Sequence, residues 1–254
     1  MSAYKVGFVA LLLGVIGSVG VWLLPPWFPV AASVQADRQD ALYMALMWMS
    51  SMIFFLVLVF LLYSVWKWRA RPGDEDRDGK PIHGNTTIEI IWTIIPTIIV
   101  VAFAVAAGVV LVKNETVPHD RLVVRVNAQQ FAWWFQYPGG KVSHQLVLPI
   151  NKPTEFVIRS VEESCIDQGT NWKKCGDVIH SFYVPEFRVK ADAVPGILNH
   201  TYAEPTRLGT YPLICTELCG LGHSEMRSIV RVVSQEEFNS WLAELPAPRP
   251  AQGA

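Results

Sequence analysis

The run "RLVVRVNAQQFAWWFQY", Arg121 to Tyr137, is where the chain changes character. Its β-branched and aromatic residues partly alternate with polar ones, the pattern of a strand that buries one face. Pro138-Gly139-Gly140 then closes it with a turn signal. The same pattern recurs downstream in "TEFVIRSV" (154–161), which follows Asn151-Lys152-Pro153, and in "VIHSFYV" (178–184), "TYPLICTEL" (210–218) and "SIVRVV" (228–233). Several short strands punctuated by turns predict an all-β sandwich with Greek-key connections. Ser234 with Glu237 forms a capping-box pattern ahead of "FNSWLAEL", which predicts a short amphipathic helix. The last stretch, "PAPRPAQGA", has too little apolar content to pack and is expected to be disordered.

Upstream of Arg121 the chain is built for a different solvent. The 254 residues are 51% hydrophobic, and the mean hydropathy of +0.28 is high for a purely soluble protein. Three apolar stretches account for this. Val6 to Leu24 follows Lys5, holds four glycines and ends at Pro25-Pro26. It reads either as a secretory signal, with Ser33-Val34-Gln35-Ala36 as a small-residue cleavage site before Asp37, or as a retained membrane helix. Ala41 to Trp66 and Ile88 to Val112 are each long enough to cross a bilayer. Pro96 falls in the first turns of the latter, where its missing hydrogen bond is repaired locally. Between these stretches, Lys67, Arg69, Arg71, Arg77 and Lys80 place the connecting loop in the cytoplasm, so everything after Val112 is expected outside it. The expected organisation is a signal or extra helix over 1–36, a two-span membrane α-helical hairpin over 37–113, an extracytoplasmic β domain over 114–245 and a tail over 246–254. A net charge of -1 offers nothing to neutralise phosphates, which excludes a nucleic-acid partner.

The chemistry concentrates in "CTELCGLGHSEM", Cys215 to Met226, where two thiols, an imidazole and a thioether lie within one short stretch. Thiolates take copper, zinc or iron–sulfur clusters, imidazole suits copper and zinc, and thioether sulfur favours copper. Structural zinc sites use tetrahedral sets of cysteine and histidine, which would leave Met226 without a role. A mononuclear blue-copper site needs one cysteine, two histidines and an axial methionine. His180, on the predicted strand "VIHSFYV", supplies the second histidine, and the additional cysteine would allow two sulfurs to bridge two coppers.

Taken together, "DVIHSF", "CTELCGLGHSEM" and the apolar "IEIIWTIIP" closely resemble subunit II of cytochrome c oxidase, the subunit of the haem-copper terminal oxidases that carries the binuclear copper A (CuA) centre. The resemblance runs from about residue 41 to residue 245 and implies a cupredoxin-like sandwich. It further implies that Cys215 and Cys219 bridge both coppers, that His180 and His223 each cap one, and that Met226 is a weak axial ligand. Glu217 would bind the other copper weakly through its backbone carbonyl, and its side chain would help hold a magnesium ion at the boundary with subunit I. Electrons would come singly from cytochrome c and pass to the haem of subunit I, where oxygen is reduced with proton pumping. No oxygen chemistry, and no catalytic residue for it, is expected on this chain.

The same resemblance assigns Glu89 to the entrance of a proton pathway, against the simpler alternative of a carboxylate at a span end. It assigns electron entry to the aromatic segment, with Phe131 standing where many members have tryptophan, followed by Trp133. "SCIDQGTNWKKCGD" departs from the family as an insertion; outside the cytoplasm its Cys165 and Cys175 are expected to form a disulfide. Glu162, Glu163, Asp167 and Asp177 would steer a basic donor, although Lys173 and Lys174 dilute that field. No Cys-x-x-Cys-His is present, so the donor cytochrome is a separate protein, soluble or membrane-bound. The expected location is a bacterial-type plasma membrane, with other oxidase subunits as partners. A copper A subunit of a nitric-oxide reductase and a membrane-tethered copper carrier are the alternatives.

Overall fold

The computed structural model describes residues 3–24, 27–73, 81, 83–162, 175 and 177–246. Two compact units emerge, one formed by residues 1–27 and 41–109 and the other by residues 28–40 and 110–254. Among the described residues three helices are long and apolar enough to cross a membrane: α1 (Ala3–Leu23), α2 (Val34–Trp68) and α3 (Thr86–Glu115). The first apolar stretch is thus continuously helical, and the length of α1 permits a span. Gly17 lets α1 approach α2 closely, since a Cβ there would lie 2.1 Å from the ring of Phe55. Small residues at such contacts are how helices pack without a hydrophobic drive between them. No residue of α3 is buried, and Ile98, Val100 and Val105 point outward.

The second unit is a sandwich of two five-stranded sheets. Its strands are β1 (Leu122–Gln129), β2 (Ala132–Gln136), β3 (Val142–Ser143), β4 (Leu146–Pro149), β5 (Thr154–Ser160), β6 (His180–Val184), β7 (Val189–Ala193), β8 (Asn199–Ala203), β9 (Gly209–Cys215) and β10 (Arg227–Val233). One sheet has the order β3-β2-β1-β5-β8 and the other β4-β10-β9-β6-β7. Each contains one parallel pair, β1 with β5 and β4 with β10, among antiparallel neighbours. Parallel neighbours need a crossover rather than a tight turn, and between β1 and β5 the chain supplies it by running through β2, β3 and β4 across both sheets.

The core forms where the alternating faces meet. On β5 the residues Thr154, Phe156, Ile158 and Ser160 point inward and are buried, as period-two patterning requires. Phe182 of β6 bridges the layers, its ring 6.0 Å from Trp133 at an edge-to-face angle of 77° and 5.2 Å from Phe156. Such contacts are worth about 0.5–1.5 kcal/mol beyond the area they bury. The buried Tyr137 hydroxyl accepts from the Val147 N–H at 2.8 Å and donates to the Val147 carbonyl at 3.0 Å, joining the end of β2 to β4. The helix α4 (Gln235–Glu244) then lays Phe238 and Trp241 against the Tyr137 ring. Ser234 caps α4 through the Glu237 N–H at 3.1 Å, whereas the Glu237 side chain pairs with Arg231 at 2.9 Å. The capping box is therefore half realised.

A short segment ahead of α2 belongs to this unit as well. Ala32 N–H donates to the Glu186 carbonyl, Thr206 N–H to the Ala32 carbonyl and Val34 N–H to the Glu204 carbonyl. Ser33 Oγ donates to the Phe187 carbonyl at 2.9 Å. Arg188, in the left-handed region at φ 55, grips Asp40 with two bonds of 2.9 and 2.8 Å and donates to the Pro29 carbonyl. A cut between Ala36 and Asp37 would fall within α2 and part Ala32 and Ser33 from Asp40.

Candidate metal centre

The donor cluster forms where three elements end together. His180 opens β6, Cys215 closes β9, and Met226 sits immediately before β10. The pairing of Phe182 with Cys215 fixes the register of β6 and β9, which sets His180 near the thiol. The loop between β9 and β10 then folds back, its His223–Glu225 turn delivering the remaining imidazole. Its ends are tied by Cys215 N–H donating to the Met226 carbonyl and Thr216 N–H donating to the Ser181 carbonyl.

The separations are consistent with one continuous cluster. The two sulfurs lie 3.9 Å apart; Cys215 Sγ is 4.0 Å from Nδ1 of His180, and Cys219 Sγ is 3.6 Å from Nδ1 of His223. Met226 Sδ lies 3.8 Å from Cys219 Sγ. The Glu217 carbonyl is 3.3 Å from Cys215 Sγ, while its carboxylate side of the loop is exposed. Ligand atoms of His180, Cys215 and Cys219 lie within 4.8 Å of one another. Cys215, Cys219, Met226 and His180 are buried and His223 is half-buried. Two thiols, two imidazoles and a thioether form a donor set suited to copper.

The electrostatics favour neutral donors before metal arrives. Burial, reinforced by the neighbouring Cys215, pushes the Cys219 thiol up to about 11. Burial also lowers the His180 pKa despite the opposing pull of Asp177, so its imidazole is neutral at pH 7. Asp177 Oδ2 lies 3.5 Å from His180 Nε2, close enough to act electrostatically, yet Nε2 lacks a hydrogen bond of good geometry. A thiol must lose its proton to bind metal, so uptake here is coupled to proton release.

The aromatic segment divides into two roles. Trp133 is buried, with its indole N–H donating to the Met226 carbonyl at 3.4 Å and its ring edge-on to His180 at 6.2 Å. Phe131 is at the surface, 38% exposed, with its ring over Gly220 and Gly222. Two apolar side chains flank the site, Leu218 and Leu221, and both are exposed.

Other sequence-predicted residues fall elsewhere. Glu89 sits at the start of α3 and completes a cap: its Oε1 accepts from the Asn85 N–H at 3.1 Å, while Asn85 Oδ1 accepts from the Ile88 N–H at 3.2 Å. Asp177, expected to face a donor, is half-buried, and its carboxylate accepts from the Gln130 N–H. Glu162 donates its backbone N–H to the Cys175 carbonyl. Glu163, Asp167 and Cys165 lie outside the described residues, so the Cys165 to Cys175 disulfide does too. Sequence reasoning missed Gln130, whose side-chain N–H donates to the Cys219 carbonyl at 2.5 Å. The signal was present in "CGLGH", where two glycines flank one leucine and mark a close backbone approach.

Comparison with known proteins places the chain in a family. Residues 21–107 match the family model "Cytochrome C oxidase subunit II, transmembrane domain", and residues 122–233 match "Cytochrome C oxidase subunit II, periplasmic domain". Cytochrome c oxidase subunit 2 of Synechocystis sp. is 30% identical, over 94% of this chain and 83% of its own. Alternative cytochrome c oxidase subunit 2 of Bradyrhizobium diazoefficiens is also 30% identical, over 92% of this chain and 90% of its own. The crystal structure of the periplasmic domain of subunit II of cytochrome oxidase of Bradyrhizobium japonicum is 30% identical, covers 51% of this chain and 96% of that one, and superposes with a TM-score of 0.43.

Proposed function

Since the chain belongs to the cytochrome c oxidase subunit II family, we propose that it is the electron-entry subunit of a respiratory oxidase and holds a binuclear copper centre between β6, β9 and β10. The observation that carries this is the pair of buried sulfurs 3.9 Å apart, each with an imidazole nitrogen within 4.0 Å. Copper bound there would supply one-electron redox chemistry. His180, Cys215, Cys219, His223 and Met226 would be its ligands, with the Glu217 carbonyl as a weak further donor.

The remaining residues prepare and isolate that site. Burial of both thiols and of the Met226 thioether keeps bulk water out, while the strands on either side hold the donors nearly still. A scaffold that fixes its donors needs little rearrangement when one electron arrives or leaves. Phe131 at the surface and Trp133 bonded to the Met226 carbonyl would take electrons in from a donor cytochrome. The exposed Glu217 carboxylate suits a magnesium ion shared with the neighbouring haem-bearing subunit I, and other oxidase subunits complete the complex. Glu89 would act at the mouth of a proton path on the opposite side of the membrane, a role compatible with its capping of α3.

The test is electron paramagnetic resonance of the full chain purified with its oxidase partners. A hyperfine pattern from one unpaired electron shared by two equivalent coppers is expected. A single-copper pattern, or retention of zinc in place of copper, would overturn the proposal.

A further inference from the structure

The turn between β1 and β2 carries no ligand, yet it holds both segments that do. Gln130 donates its side-chain N–H to the Cys219 carbonyl at 2.5 Å, reaching across 89 residues of sequence. Its backbone N–H donates to the carboxylate of Asp177, three residues ahead of His180, and the same carboxylate oxygen lies 3.5 Å from His180 Nε2. One residue therefore touches the backbone of one cysteine, in the loop after β9, and the electrostatic neighbour of one histidine, at the start of β6.

The loop opposite is shaped to receive that turn. Gly220 adopts φ +127, and a Cβ there would fall 2.8 Å from the Gln130 amide nitrogen. A Cβ on Gly222 would fall 2.6 Å from the Phe131 ring. Both glycines sit within three residues of a ligand, and both are needed for the turn to seat. Residues just outside the ligands fix how those ligands are oriented, and their loss characteristically weakens metal binding.

Resting on the copper-site reading above, we propose that Gln130 is a positioning residue for the metal centre. Its amide sets the direction of the Cys219 peptide, and hence of the thiol. Through Asp177 it also steadies the approach to His180. The turn thereby preorganises donors from both sides of the cluster before metal is bound.

The experiment uses the full chain in detergent, titrated with copper against a competing chelator and then examined by electron paramagnetic resonance. Gln130→Met keeps the side-chain length and removes the donor; it is expected to lose about tenfold in copper affinity and to change the copper hyperfine splitting. Gln145→Met at an exposed position is expected to keep the wild-type spectrum, whereas Phe131→Leu, which retains the hydrogen bond, is expected to change it less than Gln130→Met does. A Gln130→Met chain with an unchanged spectrum and affinity within about twofold of wild type would overturn the proposal. So would equal changes in Gln130→Met and Phe131→Leu, because packing of the turn would then account for both. A wild-type chain without a two-copper spectrum overturns the copper-site reading and this proposal with it, whereas a two-copper wild type beside an unchanged Gln130→Met overturns this proposal alone.

Discussion

Helix α3 and strand β9 are both rich in apolar residues, and they deploy them in opposite senses. In α3 no side chain is buried, and isoleucines and valines face outward all round. In β9 Tyr211, Leu213 and Cys215 are buried while their neighbours Gly209, Thr210 and Pro212 are exposed. The difference lies in the solvent. A helix satisfies its own backbone and can present hydrocarbon to lipid, whereas a strand beside water must hide every second residue. One chain thus follows two rules for what counts as inside, and the donor cluster lies wholly under the second.

Substitutions can break that contrast, beginning with the sandwich core. Phe182→Ala removes the ring that joins the two sheets and is expected to cost about 3–5 kcal/mol, read as a lower thermal midpoint of the second unit with disturbed copper signals. Ile98→Lys puts a charge on the outward face of α3, where about 2.5–3.5 kcal/mol is expected against membrane insertion; an insertion assay scoring the protected fragment would measure it. The same change at the exposed Val142 of β3 is expected to stay within about 0.5 kcal/mol, so equal effects at the two sites would undo the comparison.

Protons sharpen the contrast at the donor cluster. Because the Cys219 thiol is held up to about 11, copper affinity of the copper-free chain is expected to rise with pH by about tenfold per unit for each proton displaced. The sign for stability is opposite. The raised thiol contributes fully below its ordinary value near 9 and is lost as pH climbs towards about 11, so the copper-free chain should melt at lower temperature across that window. Calorimetry at two pH values inside the window and two below it checks both signs. A modest effect is expected at Ser234→Ala, which removes the cap of α4 at a cost of about 1 kcal/mol and should leave the copper spectrum untouched.

How legible these features were in the sequence depends on the range over which each is encoded. The strands and spans were readable because periodicity of two and unbroken apolar runs are local. Five of the six expected donors share one twelve-residue stretch, and His180 could be added because it begins a recognisable strand. The parallel pairings of β1 with β5 and β4 with β10 were not readable, since no local signal says which strand lies beside which. Asp177 looked like a surface charge in an acidic stretch, and only the fold turned it towards His180. Gln130 looked like a neutral turn residue, because its partner lies 89 residues away in the loop between β9 and β10.

The strap ahead of α2 has a consequence for how the protein is made. Asp40 leaves the ribosome early, and Arg188, which grips it, is synthesised 148 residues later. At about 5–20 residues per second that is a wait of roughly 7–30 s, during which two apolar helices must find the bilayer. Completion of the β unit is therefore a late event in biogenesis, and the strap spends the interval as an unpaired edge awaiting its partners.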